Sequence, residues 1–130
     1  MLVDTSGLLA LLNRSQPFHK RAQRLYQNST RRLVHSFILA EVVPLARTRG
    51  VQSAATVRFL QEVLVDPDME FVWVDELLTA RAITLLQQRL DKDYSLCDAV
   101  SFVLMRDEGI TEALTTDRHF EQEGFKRLLV

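Results

Sequence analysis

An α/β domain with a mostly parallel sheet between helix layers, a single domain over residues 1–130, is the fold class this sequence predicts. Three observations carry it. Short apolar runs at Leu2-Val3, Leu33-Val34, Phe71-Val72-Trp73-Val74 and Ala113-Leu114 alternate with longer segments of helical periodicity, as in strand–helix–strand units. The segment Ser95 to Met105 is apolar round almost its whole circumference, which suits a helix buried in the middle of a domain. Two of the strands end in an acid, Asp4 and Asp117, at the edge where open parallel sheets place their sites.

Taken in order, Leu2-Val3-Asp4 reads as a buried strand, and Thr5-Ser6-Gly7 turns the chain into a short helix carrying Leu8, Leu9, Leu11 and Leu12. Ser15 is the expected N-cap of a second helix, with Pro17 in its first turn and Phe18, Ala22 and Leu25 inside. A strand over residues 32–35 follows. Ser36 is expected to cap a helix over residues 37–47 that carries Glu41, with a kink at Pro44. A helix over residues 53–64 stops at Asp66-Pro67-Asp68, and a strand over residues 70–74 leads to a helix capped by Asp75. The buried helix starts at Ser95 and closes at Gly109. A strand to Asp117, a polar turn flanked by Phe120 and Phe125, and a short strand over residues 127–130 complete the chain.

Composition bounds the function. Net charge is −1, which argues against gripping nucleic acid by bulk electrostatics. No apolar run approaches the roughly 20 residues of a membrane span, and Met1 runs into a strand without a secretory signal. The lone cysteine, Cys97, cannot close an internal disulfide and points to a reducing, cytoplasmic setting. Lys20, Arg21, Arg24, Arg31 and Arg32 could form a basic patch, though a solvated face explains them more simply. His19, His35 and His119 lack metal-ligand spacing, and Trp73 reads as core or interface. No glycine-rich phosphate loop, zinc pattern or Ser-His arrangement is visible.

The chemistry lies in four acids. Asp4 and Asp117 end strands, Glu41 and Asp98 sit early in helices that begin at the same sheet edge. Each has a plainer reading: Asp4 as a helix cap, Glu41 as a solvated helix acid, Asp98 in a capping box with Ser95, Asp117 in an Asx turn. Together they repel, and burial raises the cost. A divalent cation with hard-oxygen preference, Mg²⁺ or Mn²⁺, would neutralise them and could activate water for phosphodiester hydrolysis.

The ordered set Val3-Asp4-Thr5-Ser6, Ala40-Glu41, Ser95-Leu96-Cys97-Asp98-Ala99 and Thr115-Thr116-Asp117-Arg118-His119-Phe120 resembles the PIN domain family. Within it, the set resembles the VapC-type toxin ribonucleases of VapBC toxin–antitoxin pairs. The resemblance covers essentially the whole chain. It implies a three-layer α/β/α fold with strand 1 between strands 2 and 4. It implies one or two Mg²⁺ or Mn²⁺ ions on Asp4, Glu41, Asp98 and Asp117, and endonucleolytic RNA cleavage by a metal-activated water. Thr5, Ser6 and Thr115 match hydroxyl positions that line such sites. A homodimer and a cognate VapB-like antitoxin are implied too. Pro44, one turn after Glu41, departs from expectation. The alternative class is a catalytically silent PIN-like module that binds RNA or scaffolds a complex. A phosphatase or receiver domain fits poorly, because Ser6 stands where a phosphatase needs a second acid.

Overall fold

The computed structural model describes residues 1–130. Five short strands, β1 (Leu2–Val3), β2 (Leu33–His35), β3 (Glu70–Val72), β4 (Glu112–Leu114) and β5 (Lys126–Arg127), form one sheet. The sheet is parallel throughout and ordered β3-β2-β1-β4-β5. Leu2 pairs with Leu33 on one side and Ala113 on the other, and Val3 pairs with Leu114. Leu2, Val3, Leu33 and Val34 are completely or almost completely buried, as expected where both faces of a parallel sheet are covered. From β1 the chain winds outward through β2 to β3, then crosses back to β4. The order therefore reverses between β1 and β4, and a crevice opens outside the C-terminal ends of those two strands.

Seven helices cover the sheet: α1 (Thr5–Leu12), α2 (His19–Asn28), α3 (Ser36–Thr48), α4 (Ser53–Val65), α5 (Glu76–Gln87), α6 (Leu96–Asp107) and α7 (His119–Gln122). Helices α1, α2, α3 and α4 pack on one another, as do α5, α6 and α7, and α3 meets α6. The apolar circumference of α6 is explained by its surroundings, since every residue from Cys97 to Met105 is buried. Its N-terminus is fixed by a full capping box, with Ser95 Oγ accepting from the Asp98 amide and an Asp98 carboxylate oxygen accepting from the Ser95 amide, both at 3.0 Å. Asp75 caps α5 by accepting the Leu78 amide at 2.8 Å, and Gly109 follows α6 with φ +64°, the left-handed conformation of a C′ glycine.

Several boundaries differ from expectation for local reasons. Helix α2 starts at His19 because Ser15 turns back, its amide and hydroxyl both donating to Asn13 Oδ1. His35, not Ser36, caps α3: its Nδ1 accepts from the Ile38 amide while Nε2 meets Ser101 Oγ at 2.8 Å. Burial holds the His35 imidazole down at about 3, so the ring is neutral and free to accept. Ser36 Oγ instead receives the Val74 amide at 2.9 Å, tying α3 to the end of β3. Strand β4 stops at Leu114, three residues before Asp117, and the polar turn after it winds into α7. The last strand lies at Lys126–Arg127, earlier than expected. Trp73 is 70 % exposed and packs edge-on against Phe71, so it is not core.

Candidate active-site cleft

Each of the four acids reaches the crevice by a different route. Asp4 follows β1 directly, its amide extending the ladder to Leu114 O at 3.2 Å. It stands at the N-cap position of α1 but makes no side-chain capping bond, which removes the plainer reading. Its carboxylate is 6 % exposed and accepts from Thr115 Oγ1 at 2.8 Å. Burial pushes Asp4 up to about 7, against the lowering effect of the Thr115 hydroxyl. Asp98 sits in the first turn of α6, buried; besides Ser95 N, its Oδ2 contacts His119 Nδ1 at 3.1 Å. Burial raises Asp98, partly offset by the Ser95 amide. Glu41 projects from α3 and accepts from Thr5 Oγ1 at 3.4 Å; burial, then the Asp98 charge, raises it as well. Asp117 accepts the His119 amide at 2.9 Å through Oδ1, so its Asx turn is real.

All four carboxylates line one open cleft of about 630 Å³, together with Thr5, Ser6 and Pro44. The hydroxyls lock the two strand ends across the crevice. Thr115 Oγ1 donates to Asp4 and accepts the Asp117 amide at 3.0 Å. Ser6 Oγ lies 3.1 Å from Thr115 Oγ1 and 3.4 Å from Asp4 Oδ2, so the two hydroxyls and the carboxylate form one hydrogen-bonded cluster. Ser6 Oγ in turn accepts the Thr116 amide at 3.0 Å. Thr5, Ser6 and Thr115 therefore support the acids rather than standing free.

No Lys or Arg forms an ion pair with Asp4, Glu41, Asp98 or Asp117, although Arg49 lines the same cleft; the only basic side chain within ion-pair distance of them is His119. Asp98 and Asp117 each spend one oxygen, Oδ2 and Oδ1 respectively, on hydrogen bonds and leave the other free. One ligand atom from each of Asp98, Asp117 and His119 lies within 4.8 Å of the others, with Asp4 and Glu41 outside this tight group. Three carboxylates raised by burial, free hard oxygens and no cationic partner make a donor set that fits a divalent cation.

Two participants were not evident from the sequence. His119 enters because the turn after Asp117 folds into α7 and swings its ring onto Asp98. Tyr94 packs edge-on to that ring at 5.3 Å, and its hydroxyl is held at 3.0 Å by Glu123. Glu123 is buried and also accepts from Arg89 twice and from Arg106 at 2.7 Å. Burial by itself would raise Glu123, but the bonds from Arg89, Arg106 and Tyr94 prevail and hold it low. Removing that carboxylate leaves the Tyr94 hydroxyl buried without a partner and reduces Arg89 and Arg106 to backbone carbonyls and solvent. Glu123→Ala should therefore lose about 2–3 kcal/mol, below the usual figure for a buried pair because both guanidiniums are partly solvated. Urea denaturation reads this, and a loss under about 0.5 kcal/mol would mean the network contributes no stability.

A parallel sheet between helices, with carboxylates gathered outside its switch point and no glycine-rich phosphate loop, defines an acid-centred α/β/α domain. The chain belongs to the PIN domain family, whose model matches residues 1–126. It is 31 % identical over 126 residues to the 23S rRNA-specific endonuclease VapC20 of Mycobacterium tuberculosis, in two strains, spanning 96 % of this chain and 95 % of the relative. The crystal structure of Mycobacterium tuberculosis VapC20, a Sarcin-Ricin loop cleaving toxin, superposes with a TM-score of 0.88 at 28 % identity, covering 99 % of this chain and 98 % of that one.

Proposed function

We propose that the chain is a divalent-metal-dependent endoribonuclease, the toxin of a VapBC-type pair, with Asp4, Glu41, Asp98 and Asp117 as its metal-holding acids. The observation that carries this is the cleft itself: four acids without a Lys or Arg counter-ion at the switch point of a PIN fold. Mg²⁺ or Mn²⁺, as one or two ions, suits the all-oxygen donor set. When bound, such an ion supplies an activated water and offsets charge on the phosphate.

The chain's own groups do the positioning. Thr115 and Ser6 fix Asp4 across the strand ends, the Ser95 amide and His119 fix one oxygen of Asp98, and Thr5 holds Glu41. With Asp117 held by the His119 amide, each acid has an orientation set before substrate arrives. Hydrolysis adds water across one phosphodiester bond, breaking one P–O bond and releasing one new hydroxyl end. The relative's full-length similarity supports RNA as the polymer. The family resemblance extends the reading to a homodimer, a VapB-like antitoxin and a cytoplasmic site of action. No helix is long and apolar enough to cross a membrane.

The test is cleavage of total RNA by purified protein with Mg²⁺, Mn²⁺ or EDTA, beside Asp98→Asn. Cutting should require metal and fall about a hundredfold in the variant, the loss of roughly 3 kcal/mol of transition-state stabilisation. Equal cutting by both proteins would remove the site assignment. Metal binding without cutting of any RNA would favour the silent module.

A further inference from the structure

The net charge of −1 conceals a division along the chain. Residues 1–61 hold nine Lys or Arg and only two acids, Asp4 and Glu41, both in the cleft; residues 62–130 hold seven Lys or Arg and fifteen acids. The fold pairs the cations of the two populations differently. In the second set every cation except Arg118 is paired with a carboxylate: Arg81 with Asp107, Arg89 and Arg106 with Glu123, Lys92 with Asp91, Lys126 with Glu112 and Arg127 with Glu121. In the first set only Arg31 is paired, to Glu70 and Glu108. Arg14, Arg49 and Arg58 are exposed and unpaired.

These three line three depressions, of which the first holds the acids and shares a wall with the second. Arg49, just past the end of α3, is the one cation in the wall of the acidic cleft. It also walls a smaller recess of about 160 Å³ that shares Ser6, Leu45 and Thr116 with the cleft and adds Gln16 and Phe18. Past the loop before α2, a groove holds Arg14, His19 and Arg58, with Glu62 as its one acid. His19 joins recess to groove, its Nδ1 lying 2.7 Å from the carbonyl of Ala10, which lines the recess.

We infer that a single strand of RNA leaves the acidic cleft in one direction only, over Arg49 and the Gln16–Phe18 recess, toward Arg14 and Arg58. This rests on the nuclease reading and adds the substrate path to it. Unpaired guanidiniums take phosphates without giving up a partner, and their planar fork matches phosphate oxygens. Phe18 offers a face to a base and Gln16 both a donor and an acceptor to its edge. Apart from Arg118, the cations on the far side are already neutralised by acids, so that side offers the strand a single free guanidinium rather than a comparable track. A partner protein's acidic segment could use the same arginines, and the test separates the two.

Binding of a fluorescent 12-nucleotide oligouridylate, followed by anisotropy in EDTA across a series of KCl concentrations, reads the track without cleavage. Arg49→Ala should lower the salt slope by roughly 0.7, and Arg14→Ala with Arg58→Ala by about twice that, while Arg81→Ala leaves it unchanged. Circular dichroism confirms that each variant is folded. Where wild type cuts, lengthening the RNA on one side of the scissile bond should lower KM and lengthening it on the other should not. The double variant should abolish that gain with kcat unchanged. Slopes equal to wild type in all variants, or an equal benefit from both extensions, would overturn the track and leave those arginines to a protein partner. Absence of cleavage by wild type would count against the nuclease reading alone, since the salt slopes stand without it.

Discussion

Asp4→Asn should abolish RNA cleavage and at the same time stabilise the metal-free protein at neutral pH. The side chain lies at the centre of the cleft, buried and linked to Thr115, so the loss of activity should reach two to three orders of magnitude, about 3–4 kcal/mol of barrier. The stability effect has the opposite sign. Asp4 ionises at about 7 in the fold against an ordinary 3.8, so the folded state holds its proton more tightly than the unfolded chain. The stability this contributes is complete below about pH 4 and is lost as pH rises toward 7. Above that, wild type carries a buried anion costing on the order of 4 kcal/mol. Asparagine keeps the shape, and its carbonyl still accepts from Thr115. Without metal at pH 8, the variant should melt several degrees above wild type, the gap closing as pH approaches 4. Saturating Mn²⁺ should raise the melting temperature of wild type more than that of the variant. A variant less stable than wild type at pH 8 would contradict the burial assigned to Asp4.

Gly7→Ala should be the most damaging single methyl in the protein. Alanine normally improves on glycine inside a helix by about 1 kcal/mol. Here a Cβ would overlap the carbonyl oxygen of Leu114 and stand 3.0 Å from its carbonyl carbon and 3.2 Å from its Cγ. The obstacle is the backbone of β4 in the middle of the sheet, which cannot rotate aside. Helix α1 would have to lift off, and Thr5 and Ser6 with it. A loss of about 3 kcal/mol or more is expected, read as a lowered urea midpoint and weaker metal binding. Gly109→Ala is the comparison: its φ is +64° but nothing lies within 4 Å, so only backbone strain of about 1 kcal/mol applies. If Gly7→Ala proved milder than Gly109→Ala, the close approach of α1 to β4 would be wrong.

Much of this was legible because it is local. The caps at Asp75 and Ser95–Asp98, the stop at Gly109 and the apolar runs of β1, β2 and β4 depend on neighbours a few residues away. The all-parallel order with β1 between β2 and β4 agrees with what the resemblance implied. The competing readings of the acids proved less exclusive than the sequence suggested. Asp98 is both half of a capping box and a wall of the cleft, since one carboxylate has two oxygens. Asp117 likewise closes an Asx turn and lines the cleft.

What the sequence determined by itself was which residues carry charge, which segments are strand or helix, and the caps at Asp75 and Ser95–Asp98. Those follow from period, caps and breakers within one turn of the chain. Only the tertiary structure decided which charges meet. His119 reaches Asp98 across 21 positions, Thr115 reaches Asp4 across 111, and Glu123 collects Arg89, Arg106 and Tyr94 from three different places. Arg49 stays unpaired for the same reason that Arg81 does not: one faces a cleft, the other an acid on a packed neighbouring helix. Burial and pairing depend on the whole fold, and they set the ionisation of Asp4 and the cations left free to bind.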